Sequence, residues 1–392
     1  PWPSTSANLQ YAAIWGTVGS VADTATRVCD GNQVNRISTL LEPLGRTEGQ
    51  AVPLAENTGV AFNGVYVLGM GFVLEPEEAI TWLQADPQLA AVVRPYLNGK
   101  DLNSSPTQSA SRFVIDFNDM TEQEAAEFPV PFRRVELEVK PERQRTKPNG
   151  EFVLRKPMPQ RWWQFAEKRP GMRRAIEGKD RVIVIAQVSS TLMPVFVPAD
   201  QVLDAMLVVF ALDRPEDLAY LSSDIHRSWA LAYGTTMRTD ARYTPSAIFD
   251  TLPRPSLSLD MSRLGNVLTE VRSEVMGRRG LGLTKLYSLV NDPNVGPGDD
   301  ADIDSLRQIH ADVNKATLAC YGWEDFDLEQ GFHEYRGVTR WMVSPSARAE
   351  ILDRLLEENH RRAALERATE RSVKSNKSAS SKRTSSPEER LF

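Results

Sequence analysis

Three charged residues between positions 238 and 242 have the types and spacing that sequence-specific DNA contacts require. Arg238, Asp240 and Arg242 alternate, so on an extended segment their side chains lie in one row. An arginine fork donates two hydrogen bonds to O6 and N7 of guanine, and a carboxylate accepts one from N4 of cytosine. The row therefore predicts a contact with a G·C pair. The same spacing also fits a surface ion pair, which contributes little stability, and the residues alone leave both interpretations open.

Catalytic motifs are missing from the sequence. A DNA methyltransferase needs a Gly-rich turn after a strand and a Pro-Pro-aromatic motif that holds a flipped adenine, and neither occurs. The pair Gly69 and Gly71 fits a tight turn. Phosphate-binding loops, zinc-protease helices and hydrolase elbows are also missing. We therefore predict no catalytic, cofactor-binding or metal-binding residue in this chain.

The four histidines are dispersed, at positions 226, 310, 333 and 360. Two of them, His226 and His310, fall on segments with helical periodicity. A lone histidine on a helix is more often packed or solvated than a ligand or a base. We therefore expect structural histidines.

Positive charge is concentrated in one stretch of a chain whose net charge is −6. Residues 133–181 hold 15 Lys and Arg against 7 Asp and Glu, whereas residues 1–132 hold 6 against 15. An acidic protein binds a phosphate backbone when its basic groups share one face. A solvated helical surface is the alternative interpretation of this stretch.

Hydrophobic periodicity predicts an α+β fold, with a mixed α/β domain followed by a mostly helical one. The composition changes after residue 255, so we predict a recognition domain over 1–255, a helical domain over 256–371 and a disordered tail over 372–392. The predicted strands are 11–15, 64–68, 112–117, 181–186, 193–197 and 205–212. The predicted helices of the first domain are 76–93, 131–145 and 215–233, and residues 94–101 are predicted to form a turn.

The expected cellular location and the start of the chain are inferred from its hydropathy, its cysteines and its first residue. The sequence contains no apolar run long enough for a membrane span and no signal peptide. The two cysteines, Cys29 and Cys320, form no metal-binding pair, so a reducing cytoplasm is the expected location. The start at Pro1 rather than Met suggests a fragment or a processed chain.

Several stretches together resemble the target-recognition and C-terminal domains of the MmeI-like family. These proteins are large bacterial adenine-specific DNA methyltransferases, related to type IIG and type IIL restriction enzymes and to phage-defence methylases, and some are fused to a nuclease. The resemblance covers nearly all of residues 1–366. It rests on the order of the stretches 1–3, 12–15, 34–38, 94–102, 113–117, 162–163, 169–170, 242–253, 321–323 and 352–360.

The resemblance implies a sequence-specific, duplex DNA recognition module of an N6-adenine methyltransferase. The catalytic domain, with its S-adenosylmethionine, is then absent from this chain, and the partners are double-stranded DNA and that domain. The family chooses a base pair with residues just before its Arg-Tyr-Thr/Ser motif, which are Arg238 and Asp240 here, with Arg242 as the motif arginine. The family often has an acidic-then-basic pair at these positions, whereas this chain has the reverse. We expect Arg238 to contact a guanine, and Asp240 to contact its cytosine or orient Arg238.

The resemblance also gives the basic stretch a role, because phosphate contacts position a duplex without reading its sequence. The expected phosphate contacts are Arg143, Arg145, Lys147, Arg155 and Lys156. The adjacent Trp162 and Trp163 are expected to pack in the core rather than stack on bases, since large aromatic residues at a helix start usually anchor packing.

Two other classes of function remain open from the sequence. One is an independent enzyme whose site is assembled from scattered residues. The other is a helical protein-interaction or scaffold subunit of a defence complex, without direct base readout, in which the basic stretch is only solvated. Salt-dependent binding to duplex DNA distinguishes the recognition module from the scaffold.

Overall fold

The computed structural model describes residues 49–237, 240–335 and 338–383, and, before them, residues 19, 22, 25–29, 32–34, 36–37, 43–44 and 47. The predicted strand 11–15 lies outside the described residues. Four short strands come first, in two antiparallel pairs: β1 (Arg27–Cys29) with β2 (Asn32–Val34), and β3 (Arg36–Ile37) with β4 (Pro43–Leu44).

Two four-stranded sheets form the centre of the next part of the chain. Its elements are β5 (Ala61–Asn63), β6 (Val73–Leu74), α1 (Pro76–Ala85), β7 (Val93–Leu97), α2 (Gly99–Ser104), β8 (Arg112–Ile115), α3 (Glu122–Ala126), α4 (Pro129–Glu138), α5 (Lys140–Arg143), α6 (Pro170–Ile176), β9 (Arg181–Ala186), β10 (Val188–Ser189), β11 (Val195–Pro198), β12 (Val202–Leu203) and β13 (Leu207–Phe210). One sheet has the order β11-β9-β13-β5 and the other β12-β7-β8-β6.

The strands β9 and β13 lie at the centre of the first sheet and are covered on both faces. Every residue of β13 and five of the six residues of β9 are buried, which fits their nearly continuous Val, Ile and Leu composition. Their antiparallel register pairs Ile185 with Val208. The sequence predicted both strands for this reason.

The remaining elements are a helix pair, a small hairpin and the helical region. They are α7 (Pro215–Leu221), α8 (Asp224–Tyr233), β14 (Thr235–Met237), β15 (Asp240–Arg242), α9 (Pro245–Ile248), α10 (Leu259–Arg279), α11 (Leu283–Val290), α12 (Ala301–Tyr321), β16 (Gly331–Tyr335), β17 (Val338–Met342) and α13 (Pro345–Arg383). The α+β class with a mostly helical second part is confirmed.

The helical region packs directly on the first part of the chain. At Gly265 of α10 a side chain would collide with the carbonyl of Pro215, so only glycine permits this close crossing of α10 and α7. On α13, the amide of Asn359 donates to the carbonyls of Val52 (2.7 Å) and Thr251 (2.6 Å) and accepts from the Val52 N–H (2.9 Å). One continuous apolar core runs through both parts, and the domain boundary at 255 stays a prediction.

Several local predictions differ from the structure. The predicted turn 94–101 contains most of β7 and the start of α2, and the predicted helix 76–93 ends early, at Ala85. The predicted helix 215–233 is two helices, because Ser223 caps a new helix by accepting the His226 N–H at 3.2 Å. The hairpin β16–β17 was not predicted. The helix α13 extends to Arg383, and the disordered tail over 372–392 stays a prediction.

Candidate nucleic-acid interface

A three-stranded antiparallel sheet carries the predicted base-reading segment. Its order is β10-β15-β14, with Arg242 opposite Thr235 on one side and Val188 on the other, and Asp240 opposite Met237. Asp240 and Arg242 therefore occupy alternate positions of one strand. Arg238, the third predicted base-reading residue, lies outside the described residues.

The guanidinium of Arg242 has room for a ligand. The side chain is exposed, and within the described part of the chain it makes no ion pair or side-chain hydrogen bond. The alternative interpretation of this segment, a surface ion pair, is therefore not supported at Arg242. An unpaired guanidinium at the base of a hairpin is suited to bind an acceptor on DNA.

Tyr243, directly after β15, fixes the hairpin to the core. The residue is fully buried, its N–H donates to the Gln187 carbonyl (2.8 Å), and its ring packs edge-on against Phe210. Its O–H donates to Nε2 of His226 (2.9 Å), whose Nδ1–H donates to the Leu221 carbonyl (2.7 Å). The segment that follows the predicted base-reading strand is thus held by a chain of buried hydrogen bonds.

His310, in the helical region, makes a similar pair of hydrogen bonds. The Tyr287 O–H of α11 donates to Nε2 of His310 on α12 (2.8 Å), and His310 also hydrogen-bonds the backbone of Ser222. The two histidines therefore bind consecutive residues, Leu221 and Ser222, where α7 ends. Burial lowers the pKa of both histidines to about 4, so both are neutral at pH 7 and structural, as expected from the sequence.

The lowered pKa values of these two histidines predict that the protein loses stability in mild acid. Because their pKa values lie below 6.5, the unfolded chain takes up protons between pH 6.5 and about 4 while the folded chain does not. The free energy of unfolding should fall across this interval, by on the order of 3 kcal/mol for each histidine. Urea unfolding followed by circular dichroism at pH 7.0 and 4.5 measures the fall, and His310→Gln should reduce it. A stability that is unchanged from pH 6.5 to 4.5 would contradict the assignment.

The structure corrects the prediction of a phosphate contact at Arg143. Its side chain is 1% exposed, and its guanidinium donates to the carbonyls of Gln164 (2.7 Å), Val67 (2.8 Å) and Leu68 (2.6 Å). Burial lowers its pKa to about 10, so it remains charged at pH 7. Arg143 therefore holds three backbone segments together and has no face available to DNA.

The other predicted phosphate contacts lie on an exposed loop that follows α5. Arg145, Lys147, Arg155 and Lys156 are all exposed. The loop is closed by the Lys147 N–H to the Glu151 carbonyl (2.7 Å) and by the Val153 N–H to the Arg145 carbonyl (2.9 Å). Lys147 lies 3.7 Å from the Glu151 carboxylate, whereas the other three basic residues have no carboxylate partner in the described structure.

The loop and the hairpin are separate elements of the fold. The loop continues from α5, which Arg143 fixes to residues 67 and 68, whereas the hairpin is paired with β10 and fixed through Tyr243.

Trp162 and Trp163 are buried, and the Trp163 indole N–H donates to the Met120 carbonyl (2.9 Å), so they pack in the core as expected.

Neither a metal-binding cluster nor a membrane-spanning helix is found among the described residues. Among those residues, no group of three or more His, Cys, Asp and Glu side chains is arranged to hold a metal ion. None of the described helices combines the length and apolar character needed to cross a membrane.

A match to a family model places this chain in a known class of target-recognition domain. Residues 50–256 match the family described as the MmeI target recognition domain, which is more than half of the 392 residues. The chain therefore belongs to that family. The matched range begins just before β5 and ends just after the segment anchored by Tyr243, so it contains the hairpin and the basic loop.

A solved structure supports the same fold. The type IIL restriction-modification enzyme MmeI, solved in complex with DNA, superposes with a TM-score of 0.57 at 15% sequence identity. The match covers 85% of this chain and 39% of the MmeI chain, so this chain corresponds to well under half of that enzyme. No curated protein matches the chain.

Two features of this region were not predicted from the sequence. One is the burial of Arg143 beside exposed neighbours, and the other is the anchoring of the hairpin by Tyr243 and His226. The Arg-Tyr-Thr motif contained the signal for the anchor, because a tyrosine next to two polar residues on an alternating strand points to the opposite face.

Proposed function

We propose that this chain recognises a specific duplex DNA sequence for a restriction-modification or phage-defence enzyme that methylates adenine at N6. The membership of residues 50–256 in the MmeI target recognition family carries the proposal. The methyl transfer and its S-adenosylmethionine belong to a catalytic domain that this chain does not include, either covalently linked or associated, and a cytoplasmic location follows from that role.

Two features of the described structure support base readout by this hairpin. The Arg242 guanidinium has no protein partner among the described residues, and the residue that follows it is fixed in the core by Tyr243 and His226. A side chain distinguishes one base from another only when the protein holds its hydrogen-bond donor in a defined position. The proposal assigns the reading of one G·C pair to Arg238, Asp240 and Arg242, and phosphate contacts to the exposed loop.

Selection of bound duplexes from a randomised library tests the proposal. The complete protein encoded by this reading frame should enrich one sequence, and its affinity should fall steeply as salt rises from 50 to 200 mM, because phosphate contacts release counterions. Enrichment of no sequence, together with no salt-dependent binding at low ionic strength, would overturn the proposal in favour of a protein-interaction subunit.

Replacing a phosphate-contacting residue should weaken binding without changing the sequence preference. Arg155→Ala removes one exposed charge, so the affinity should fall for all duplexes and the slope of log affinity against log salt should decrease by about 1. Fluorescence anisotropy on matched and mismatched duplexes measures both quantities. Arg263→Ala, an exposed arginine of α10, is the matched control and should leave both unchanged. A loss confined to one base pair would contradict the phosphate role.

A further inference from the structure

We infer that Lys100 and Asn103 of α2 form a second base-reading group, which contacts the base pair next to the one assigned to residues 238–242. The inference rests on the proposed function and deepens it. The observation behind it is a cavity of about 450 Å³ that α2 forms with β10 and with the turn before β13. Lys100, Asn103 and Ser104 supply its polar wall, and Val188 and Met206 supply part of the opposite wall.

The cavity is one strand away from the predicted base-reading strand. Val188, which lines it, is the direct partner of Arg242 in the sheet. The start of α2 packs against the same region, since a side chain at Gly99 would lie 3.7 Å from Cβ of Met206 and 3.9 Å from Cβ of Ala186. Adjacent strands are separated by about 4.8 Å, and base pairs in B-DNA stack 3.4 Å apart. The wall of the cavity that β10 supplies therefore lies one strand from β15, so a duplex that contacts β15 would also lie near the cavity.

Most polar groups around the cavity are already hydrogen-bonded within the protein. The side chain of Asn98 accepts from the N–H groups of Lys100 and Asp101 and donates to the Asp101 carboxylate. The carboxylate of Asp204 accepts from the Tyr96 O–H and the Met206 N–H. These groups shape the cavity and are not available to a ligand.

The side chains of Lys100 and Asn103 are available. Lys100 is exposed and Asn103 is half-buried, and the described structure gives neither side chain a hydrogen-bond or ion-pair partner. A lysine ammonium donates to O6 and N7 of guanine, and an asparagine amide pairs with N6 and N7 of adenine. Each of the two side chains therefore matches the major-groove edge of a purine, and a bare phosphate would make no use of the amide acceptor.

The helix that carries these two residues is held from both ends. The Asn98 side chain caps its start, with 2.8 and 3.0 Å to the N–H groups of residues 100 and 101. At its end Gly282, just before α11, approaches so closely that a side chain there would lie 2.5 Å from the carbonyl oxygens of Asn103 and Ser104. The helical region thus fixes the position of α2, as a base-reading element requires.

The sequence preference of Lys100→Ala tests the inference. The complete protein and this variant are each used to select duplexes from a randomised library. The variant should lose its preference at one base pair by about tenfold, adjacent to the pair that Arg238→Ala affects, and keep it elsewhere. Lys315→Ala, an exposed lysine of α12, is the matched control and should select the wild-type sequence.

The other outcomes separate this inference from the proposed function. If Lys100→Ala weakens binding to all duplexes equally and lowers the salt slope, Lys100 contacts a phosphate and the inference is wrong. If it selects the wild-type sequence with wild-type affinity, the cavity does not face DNA and the inference is also wrong. In both cases a wild-type protein that enriches one sequence leaves the proposed function intact. A wild-type protein that enriches none overturns both.

Discussion

Replacing Arg143 with methionine should destabilise the protein by about 3 kcal/mol or more. The substitution removes the donor shared by three carbonyls, those of Gln164, Val67 and Leu68, of which the first two bonds are buried and the third is partly buried, and leaves each without its partner. Methionine fills a similar volume, so the loss comes mainly from the unpaired polar groups. Chemical unfolding followed by tryptophan fluorescence measures the change, because Trp162 and Trp163 are buried in the same core.

The matched control is Arg145→Met, two residues further along the chain. Arg145 is exposed and has no carboxylate partner among the described residues, so this variant should keep the wild-type unfolding midpoint and lose affinity for all duplexes. The pair of variants thus separates a structural arginine from a phosphate-contacting one. If Arg143→Met were as stable as the wild type and bound DNA more weakly, the phosphate role first predicted for Arg143 would be correct after all.

Replacing Arg238 with alanine should relax the recognised sequence at one base pair. The expected loss of discrimination is about 1–3 kcal/mol, since a bidentate contact with guanine is worth that much. Each 1.4 kcal/mol corresponds to tenfold, so the variant should accept a second base at the affected position. Selection from a randomised library by the complete protein measures the preference at every position separately.

Arg263→Ala again provides the matched control, because it removes an arginine that is 63% exposed and paired with Asp260 on α10. It should select the wild-type sequence. An unchanged preference at all positions for Arg238→Ala would show that the base-reading assignment is wrong. Asp240→Ala should affect the same base pair as Arg238→Ala if the two residues act together, and the two effects should then be less than additive.

The sequence predicted best those elements whose burial follows from a local pattern. The strand β9 is a run of Val and Ile, and the predicted strand 205–212 contains β13, whose four residues are all buried. Elements that depend on distant partners were harder to predict. The break between α7 and α8 is stabilised by Asn314, whose side chain accepts the Asp224 N–H at 2.7 Å from 90 residues away.

In the candidate site too, features set by a local pattern were predicted, and features set by distant residues were not. Residue types and alternation singled out Asp240 and Arg242, and the pairing of β15 with β14 and β10 agrees with an extended segment. No local pattern distinguishes Arg143 from Arg145, because the burial of Arg143 is created by residues 67, 68 and 164. The polar cavity beside α2 likewise joins residues about 100 positions apart, so only the folded chain reveals it.

The most direct test of the proposed function is a genome-wide map of methylated adenines. The complete reading frame that encodes this chain is expressed in a bacterial host without other adenine methylases, beside the Arg238→Ala variant. The proposal predicts N6-methyladenine within one defined sequence for the wild type, and a sequence relaxed at one position for the variant. Absence of methylated adenine from an expressed and folded wild-type protein, or methylation without a common sequence, would contradict it.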